Sequence, residues 1–463
     1  MTQLPSLKLC KQINNDICKI IEKVSRYVIP SKQMEIKLNE ISASILETVR
    51  NQLHPLKEKY GYDRIELHGS VAKGTWLPDQ IDFDIFIVFK HQVEKEKLEA
   101  LINEATSYLK IETQKRYSEH PYLRLKFPNG YEADLVPAFD FNGEKYLTAT
   151  DRTIYHTKYV NEHMTPELRN ECRLLKSFLK GINAYGAEIK IGGFSGYSAE
   201  LLIIKFKSFI ETLEFISKNE KISLTLTEPE PNWQKLHEKY KTNYILLDPV
   251  DPKRNVLAAL TPPTYNTARI ASKLFLYKPS LEFFHATQRT TKTQEQIEIM
   301  NRHIYTVTIK PKPETPPDTI WGITKKTQKQ LTKKIQENEI QVIYTGTDED
   351  PTGTIYIIIE TNQPKTNPYK KIKGPPSSAP PQQIAKFIQK HKNNPAGPWI
   401  ENNRIITLKK TKEKTVEQLL QEQLKQTQTK YKKYIKTITI EKTTKTNNPT
   451  IIKHIKRKPK WLT

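Results

Sequence analysis

The segment His68–Phe89, HGSVAKGTWLPDQIDFDIFIVF, constrains this chain most strongly, because it places two aspartates inside an apolar run. Successive residues of a β-strand point to opposite faces, so Asp82 and Asp84 share one face while Phe83 and Ile85 share the other. Two neighbouring carboxylates repel each other unless a cation lies between them. A hard ion such as Mg²⁺, which binds one or two carboxylates together with substrate phosphates, meets that need. The segment therefore predicts a strand that carries a metal site.

A third carboxylate lies on a predicted hairpin. Two β-rich runs flank Asn129-Gly130, and this dipeptide is the strongest short hairpin signal because a type I′ turn needs positive φ at both central residues. In the run after the turn, Asp134 alternates with Ala133 and Leu135, so its carboxylate faces one side of the sheet while its neighbours pack on the other. An isolated strand aspartate more often faces water at a sheet edge. The combination of Asp134 with Asp82 and Asp84, which share one face of a strand, favours a catalytic site instead.

Three such carboxylates suit phosphoryl transfer. Asp82, Asp84 and Asp134 have the chemistry to hold two metal ions about 4 Å apart, which clamp the attacking and leaving oxygens of such a reaction. The sequence therefore predicts a metal-dependent site in which Asp134 acts as a metal ligand or general base on the attacking side.

A phosphate contact is predicted close to these aspartates. Gly69-Ser70 opens a predicted helix, and the backbone N–H groups and hydroxyl at such a position suit a triphosphate. Ser70 is therefore a candidate phosphate contact, with Lys73 as its charged partner one turn later. A simple N-cap serine is a compatible and less specific role.

Together these features resemble the nucleotidyltransferase superfamily, which includes DNA polymerase β, poly(A) polymerases and CCA-adding enzymes. Seven further motifs narrow the resemblance, in chain order: GSVAKGTWLP, SEHPY (118–122), YEADLVPAF (131–139), DRTIYH (151–156), RLLKSFLKGINAYGAE (173–188), GGFSGYSAELLI (192–203) and DPVDPKRNV (248–256). This order is similar to that of the class I, archaeal-type CCA-adding tRNA nucleotidyltransferases, and the likeness covers residues 30–285.

The resemblance implies an α/β (α+β) multidomain fold with a polymerase-β-like nucleotidyltransferase head, a helical central domain, an α+β C-terminal body and a basic tail. It implies template-independent addition or repair of the 3′-terminal CCA of tRNA from CTP and ATP, with release of pyrophosphate. The implied cofactor is Mg²⁺. Members of this family are commonly homodimers, so a homodimer is possible.

The resemblance also implies nucleotide contacts beyond the carboxylates. Lys176 and Tyr185 would reach the triphosphate through a charge and a hydroxyl, and His156 would contact the nucleotide where head and central domain meet. Without the resemblance, a lone lysine on a helix is most often solvated. Arg254 could read the base, because a guanidinium has planar donors that match acceptors on cytosine and adenine; the plain alternative is an ordinary surface arginine.

Two residues depart from the pattern of related enzymes, which often carry Arg at the position of Lys73 and Glu at that of Asp82. Lysine keeps the charge but loses the bidentate fork of arginine. Aspartate keeps the carboxylate but has a shorter reach. We expect neither difference to abolish activity.

The positive charge is concentrated at the C-terminal end. The chain has 74 Lys and Arg against 51 Asp and Glu, of which residues 361–463 hold 24 basic and 5 acidic residues. Residues 1–360 hold 50 basic and 46 acidic residues and are close to neutral. Such a basic segment predicts contact with a polyanion, here tRNA, apart from the chemistry. A solubilising lysine-rich tail is the alternative.

At 463 residues the chain is long enough for three or four domains, and the helix and strand pattern, the resemblance and the basic C-terminal end together predict four. These are a nucleotidyltransferase head at 1–152, a helical central domain at 153–285, an α+β body at 286–375 and a basic tail at 376–463.

Helical periodicity predicts a helix over residues 31–58 and one long apolar helix over 197–216, followed by an irregular segment at 216–250. Alternating β-branched residues predict strands at 303–312 and 340–360. The Pro-rich residues 362–382 are typical of a loop or linker.

The three cysteines, Cys10, Cys18 and Cys172, show no paired spacing. This argues against a disulfide framework or a zinc site and fits a reducing cytoplasm. The sequence shows neither a cleavable signal nor an apolar run of the ~20 residues needed to span a bilayer. A cytoplasmic, soluble protein without a membrane partner is therefore predicted.

Two other functions remain open. A poly(A) polymerase or an oligoadenylate synthetase-like enzyme would share the head and would extend many RNAs with ATP alone. A non-catalytic RNA-binding or nucleotide-sensing protein would be favoured if an aspartate had been lost, but all three are present.

Overall fold

The computed structural model describes residues 4–117, 121–140, 150–284 and 297–462. The chain forms two compact units, one of residues 1–290 with 459–463 and the other of residues 291–458. The first three residues of the SEHPY motif and the predicted boundary at residue 285 lie outside the described residues.

The described residues of the first unit form helices and two sheets. Its helices are α1 (Pro5–Ile13), α2 (Asn15–Val28), α3 (Lys32–Leu53), α4 (Leu56–Tyr60), α5 (Gly69–Ala72), α6 (Lys95–Tyr108), α7 (Asp151–His163), α8 (Pro166–Gly181), α9 (Gly196–Phe206), α10 (Phe209–Lys218), α11 (Trp233–Tyr240) and α12 (Pro262–Tyr277). Its strands are β1 (Arg64–His68), β2 (Asp82–Phe89), β3 (Glu112–Tyr117), β4 (Pro121–Lys126), β5 (Glu132–Phe139), β6 (Ile222–Leu224) and β7 (Tyr244–Leu246). Two short 3-10 helices, Leu281–Phe283 and Lys460–Leu462, complete it.

The head is built on a mixed five-stranded sheet with the order β1-β2-β5-β4-β3. Strands β2 and β5 are parallel, and the other neighbours are antiparallel. Apolar residues of β2 and β5, including Phe83, Ile85 and Leu135, are fully buried against residues of α3 and α6. One face of the central strands thus forms a core, which leaves the other face for polar side chains.

The predicted hairpin joins β4 and β5, but its turn differs from the prediction. Only Gly130 has a positive φ, of 83°, and the Phe127 N–H donates to the Tyr131 carbonyl at 2.9 Å. The loop therefore has three residues with glycine in the left-handed position, which is the next most common hairpin geometry. The predicted type I′ turn at Asn129-Gly130 is wrong.

The helical part of the first unit has its own core, to which α1 and α2 contribute together with α8–α10 and α12. Helices α1 and α2 turn back on each other at Asn14, and Cys10 and Cys18 form a disulfide across this turn with their Cα atoms 5.5 Å apart. The expectation of three unpaired cysteines is therefore wrong. A spacing of eight residues did not reveal the pair because the turn, not the sequence separation, brings the cysteines together.

Two other sequence predictions for the helical part need correction. The long apolar helix is broken at Lys207, which has a φ of 65°, and Ser208 then caps α10 by accepting from the Glu211 N–H at 3.0 Å. The cap at Ser208 thus divides the apolar segment into two helices.

The segment predicted to be irregular at 216–250 contains α11 and the parallel strand pair β6–β7.

The described residues of the second unit also form helices and sheets. Its helices are α13 (Pro317–Gln336), α14 (Pro381–His391), α15 (Val416–Lys430) and α16 (Pro449–Lys456). Its strands are β8 (Ile297–Glu298), β9 (His303–Pro311), β10 (Val342–Glu349), β11 (Ile355–Thr361), β12 (Tyr369–Pro376), β13 (Ala396–Glu401), β14 (Arg404–Lys410), β15 (Ile435–Lys442) and β16 (Lys445–Thr446).

A four-stranded antiparallel sheet with the order β10-β11-β9-β15 is the centre of the second unit. One face packs on apolar residues of α13 and α15, and the other face contacts α16 through Ile304, Ile358, Ile451 and Ile455. Because β15 pairs with β9, residues on both sides of position 375 share this sheet.

The Pro-rich segment at 362–382 includes a strand, so its assignment as a linker is partly wrong. Strand β12 pairs with β14 in a three-stranded sheet of order β12-β14-β13. Pro375 and Pro376 stand at the end of β12, where a missing backbone N–H is tolerated. None of the described helices of either unit combines the length and apolar character needed to cross a membrane.

Candidate active site

Strands β2 and β5 bring the three predicted carboxylates onto one face of the head sheet. Asp84 is the register partner of Asp134 across the parallel pair, and Asp82 lies two residues before Asp84 on the same face. The intervening Phe83 points into the core and is fully buried. The polar face therefore carries a concentrated negative charge.

Gly69 lets α5 approach this charge. It has a φ of 70°, and a Cβ atom there would lie 1.7 Å from Asp84 Oδ2. Any side chain would have to displace the Asp84 carboxylate. The Gly-Ser pair thus places Ser70, at the start of a four-residue helix, beside the aspartates.

The charges at this face perturb the titration of Asp84. Burial raises its pKa, and the negative charges of Asp134 and Asp82 raise it further, while Lys73 opposes them, so the pKa lies at about 6. A bound cation would relieve this crowding.

Arg124, which the sequence analysis did not single out, neutralises part of this charge. Its Nη2 donates to Asp134 Oδ2 at 2.7 Å, and its Nε also donates to Asp134 Oδ1. Its Nη1 donates to Glu132 Oε2 at 2.8 Å. The guanidinium therefore fixes the orientation of the Asp134 carboxylate from the neighbouring strand β4.

The carboxylates suit a metal ion whose coordination is completed by a substrate. They do not form a complete metal site by themselves. Across the part of the chain that the structure describes, no group of three or more His, Cys, Asp and Glu side chains is arranged to hold an ion. Asp134 is engaged by Arg124, whereas Asp82 and Asp84 lie together on β2. Mg²⁺ is usually held by one or two carboxylates, substrate phosphates and water, so this donor set fits it.

Two buried lysines converge on one carboxylate beside the aspartates. Lys73 Nζ lies 2.6 Å from Glu200 Oε2, and Lys176 Nζ lies 3.0 Å from Glu200 Oε1. Glu200, on α9, has no exposed surface. Burial opposes its ionisation, but the Lys176 and Lys73 ammonium groups outweigh burial and hold the pKa of Glu200 at about 2.

Tyr185 completes this side of the site. A Cβ atom on Gly196 would lie 3.0 Å from the Tyr185 hydroxyl oxygen and 3.8 Å from Lys176 Nζ, so the tyrosine and the lysine both lie against the start of α9. Burial raises the pKa of Tyr185, and the phenol is therefore a neutral hydroxyl at neutral pH.

These groups line one cavity of about 540 Å³. Its lining residues are Ser70, Lys73, Thr75, Trp76, Leu77, Gln80, Asp82, Asp84, Arg124, Asp134, Lys176, Tyr185, Gly196 and Glu200. It therefore combines acidic residues on the sheet with cationic and hydroxyl groups from the helices.

The remaining two predicted contacts meet at another buried carboxylate. His156 Nε2 and Arg254 Nη1 each lie 2.8 Å from Asp248 Oδ2, and the Tyr197 hydroxyl donates to Asp248 Oδ1 at 3.1 Å. The His156 ring stacks on Tyr197 with centroids 3.8 Å apart. Burial lowers the pKa of His156, although Asp248 opposes this.

Known families match three consecutive parts of the chain. A nucleotidyltransferase domain matches residues 49–156, the second domain of tRNA nucleotidyltransferase matches residues 170–285, and the C-terminal domain of CCA-adding enzymes matches residues 301–443. The CCA-adding enzyme of Sulfurisphaera tokodaii is 34% identical over 448 residues, which cover 96% of this chain and 99% of that protein. The chain belongs to the CCA-adding enzyme family.

A second CCA-adding enzyme supports the same family. The CCA-adding enzyme of Pyrobaculum aerophilum is 33% identical over 399 residues, which cover 85% of this chain and 90% of that protein. A solved structure of a cytoplasmic RNA terminal U-transferase is more distant, with a TM-score of 0.45 and 12% identity over 58% of this chain and 96% of that one. The predicted family, mixed multidomain fold and nucleotidyltransferase class are confirmed, and the family match extends past residue 285 into the second unit.

Among the polar residues of the site that were not predicted, Arg124 and Glu200 left a signal in the sequence. A hairpin that turns at residues 128–130 pairs Arg124 with Asp134, so the register alone indicates that contact. Glu200 lies in an apolar helix, and a glutamate is almost never fully buried unless it is paired. Asp248 gave no such signal, because it lies in a motif with several other polar residues, where one more aspartate does not stand out.

Proposed function

We propose that this member of the CCA-adding enzyme family completes or repairs the 3′-terminal CCA of tRNA with CTP and ATP and releases pyrophosphate. The observation that carries the proposal is the shared cavity, in which three sheet carboxylates face two buried lysines. Carboxylates that favour a cation, next to cations that favour phosphates, suit attack of an RNA hydroxyl on a nucleotide α-phosphate.

Asp82, Asp84 and Asp134 are the proposed metal ligands. When bound, Mg²⁺ would lower the pKa of the attacking 3′-hydroxyl and offset charge on the phosphates. Asp134, oriented by its two contacts with Arg124, is the proposed ligand or general base on the attacking side. Its fixed orientation reduces the reorganisation that the reaction requires.

Ser70, Lys73 and Lys176 are the proposed contacts for the β- and γ-phosphates, which leave as pyrophosphate. Both lysines are almost completely buried, and a charge in such surroundings acts more strongly on a phosphate than one in water. Tyr185 would add a neutral hydroxyl donor beside Lys176. These groups would stabilise the charge that develops on the leaving group.

His156 and Arg254 are the proposed contacts for the rest of the nucleotide. Asp248 holds both side chains, while about a third of the Arg254 side chain stays exposed, at 32%. An anchored but accessible guanidinium is able to present its donors to a base edge. Arg254 is therefore proposed to distinguish cytosine and adenine from the other bases.

The basic residues at 361–463 are the proposed contact for the tRNA body. These residues include 24 basic and 5 acidic side chains, which supports binding to phosphates. Double-stranded RNA is recognised mostly by shape, phosphates and 2′-hydroxyls. The head at 1–152 and the central domain at 153–285 would carry the catalytic residues. The body and the tail would bind the tRNA. A cytoplasmic location and a homodimer are further parts of this proposal.

The experiment is to incubate the protein with tRNA that lacks its 3′ end, to add each NTP separately or CTP with ATP, and to sequence the product ends. We expect two C residues with CTP alone, and CCA with both nucleotides. Extension of unrelated RNAs with ATP alone would instead support a poly(A) polymerase. Failure to incorporate any nucleotide would support a non-catalytic RNA-binding protein.

A further inference from the structure

Glu200 is a negative charge in the part of the cavity that is proposed to receive an anion. It is a fully buried residue on α9, and it lines the same cavity as the three sheet carboxylates. A carboxylate there repels a triphosphate. Glu200 must therefore make other interactions whose benefit to binding is larger than this repulsion.

The two oxygens of Glu200 serve different lysines. Oε2 accepts from Lys73 at 2.6 Å, and Oε1 accepts from Lys176 at 3.0 Å and from the Thr75 hydroxyl at 2.5 Å. Lys73 follows α5 in the head, whereas Lys176 comes from α8 in the helical part. Glu200 therefore joins two cations that the chain brings from separate elements.

Thr75 closes this network. Lys176 Nζ also donates to the Thr75 carbonyl at 3.1 Å and to its hydroxyl oxygen at 3.0 Å. An ammonium has three donors, and the acceptors around Lys176 are Glu200 Oε1 and the two oxygens of Thr75, so Lys176 acts on a phosphate through its charge. Lys176 is thus held as a fixed charge, while Lys73 donates to the opposite oxygen of Glu200.

Two buried ammonium groups without a counter-charge would repel each other and favour the neutral amine. Glu200 between them offsets this repulsion and holds both ammonium groups in place, and the two lysines still outnumber the one carboxylate, which leaves positive charge to attract phosphates. The carboxylate therefore reduces the attraction for the anion but fixes the position of both lysines.

We infer that Glu200 is a positioning residue that holds Lys73 and Lys176 at the place where the β- and γ-phosphates of CTP and ATP bind. This inference rests on the proposed function and adds to it the residue that organises the triphosphate end of the site. Since both nucleotides have the same triphosphate, the effect of Glu200 is the same for C and A addition and is independent of the base.

The test is Glu200→Gln, which keeps the shape but places an amide donor next to one lysine. The KM for CTP, the KM for ATP, the KM for tRNA and kcat would be measured, together with inhibition by CMP, which lacks the β- and γ-phosphates. We expect the KM for CTP and for ATP to rise about tenfold or more, as for the loss of a hydrogen bond between charged groups. The KM for tRNA and the inhibition constant of CMP should stay within about twofold.

Glu171→Gln is the matched control, because Glu171 is another fully buried glutamate of the helical part. It accepts from the Ser6 and Phe209 backbone N–H groups at 2.8 and 2.7 Å, away from the lysines. We expect it to lower the melting temperature without changing the ratio of CTP to CMP affinity. If Glu200→Gln does not fold, Thr75→Val removes one donor to Glu200 and should raise the KM for both nucleotides about threefold.

Equal losses of CTP and CMP affinity in Glu200→Gln or Thr75→Val, unchanged CTP and ATP KM values, or the same CTP-specific loss in Glu171→Gln would overturn the inference. A wild-type protein that adds neither C nor A to tRNA would instead refute the proposed function. The two failures are therefore distinguishable.

Discussion

Gly69 and Asp84 show how closely a single backbone position is tied to the proposed chemistry. Gly69 has a positive φ, and the place of its missing Cβ atom is taken by the Asp84 carboxylate. Gly61 has a nearly identical φ, 71° against 70°, but nothing within 4 Å of the place where a Cβ atom would lie. Comparing substitutions at Gly69 and Gly61 therefore separates the effect of backbone strain from the effect of the clash with Asp84.

We predict that Gly69→Ala and Gly61→Ala each lower the free energy of unfolding by about 1 kcal/mol, the cost of a left-handed alanine. Gly69→Ala should also lower the rate of CTP incorporation by about 100-fold or more, because a displaced Asp84 no longer fits the site. Chemical denaturation and single-turnover incorporation measure the two effects. Equal activity of the two variants would show that the position of Asp84 does not matter.

At the scale of elements, the N-terminal helical hairpin of α1 and α2 has a covalent link that the cysteine spacing does not reveal. Cys10 and Cys18 are buried in the same core as α8–α10 and α12, and Glu171 of α8 fixes α1 through the Ser6 N–H and hydroxyl at 2.8 and 2.5 Å. The disulfide and the buried carboxylate thus fasten the first helix in two independent ways.

We predict that protein purified without a reductant has one reactive thiol after denaturation, that of Cys172, and three after reduction. Cys172→Ala is the control and should leave none before reduction. Cys10→Ser should lower the free energy of unfolding by about 2 kcal/mol, as for the loss of a short disulfide loop. Three reactive thiols in the unreduced wild-type protein would contradict the disulfide.

The strands of the site were predictable because their signal is local. Alternation in β2 and β5 fixes which residues face the core, so the shared face of Asp82, Asp84 and Asp134 follows from the pleat. The break at Lys207 and the Cys10–Cys18 pair depend on caps and turns whose effect appears only after neighbouring helices pack. Glu200 and Asp248 are the carboxylates that contact the predicted residues. They come from distant segments of the chain, so only the tertiary fold reveals these contacts.

For the whole molecule, the uneven distribution of charge is the main feature that distinguishes the proposed tRNA-binding part of the chain from the proposed catalytic part. Strand β15 pairs with β9 across most of its length, so removal of the chain beyond residue 380 would disrupt the central sheet of the second unit. Point substitutions are a cleaner test. Lys370 and Lys409 lie directly opposite each other on β12 and β14 and are exposed, a like-charge pair that a phosphate would stabilise.

We predict that Lys370→Gln with Lys409→Gln weakens tRNA binding and lowers the slope of log affinity against log salt by about 1 to 2, since fewer counterions are released. The affinity for CTP should be unchanged. Lys95→Gln with Lys97→Gln, two exposed lysines of α6 in the head, is the control. Filter binding over a salt series would contradict the assignment if the two double variants behaved alike.

The central claim is that the carboxylate face of the head sheet performs CCA addition while the tRNA is held elsewhere. The most direct measurement compares C and A incorporation, and tRNA affinity, for wild type, Asp84→Ala and Glu112→Ala, whose exposed carboxylate lies on β3 of the same sheet. Asp84→Ala should lose incorporation of both C and A and keep its tRNA affinity, and Glu112→Ala should match the wild type. Normal CTP incorporation by purified Asp84→Ala would contradict the account.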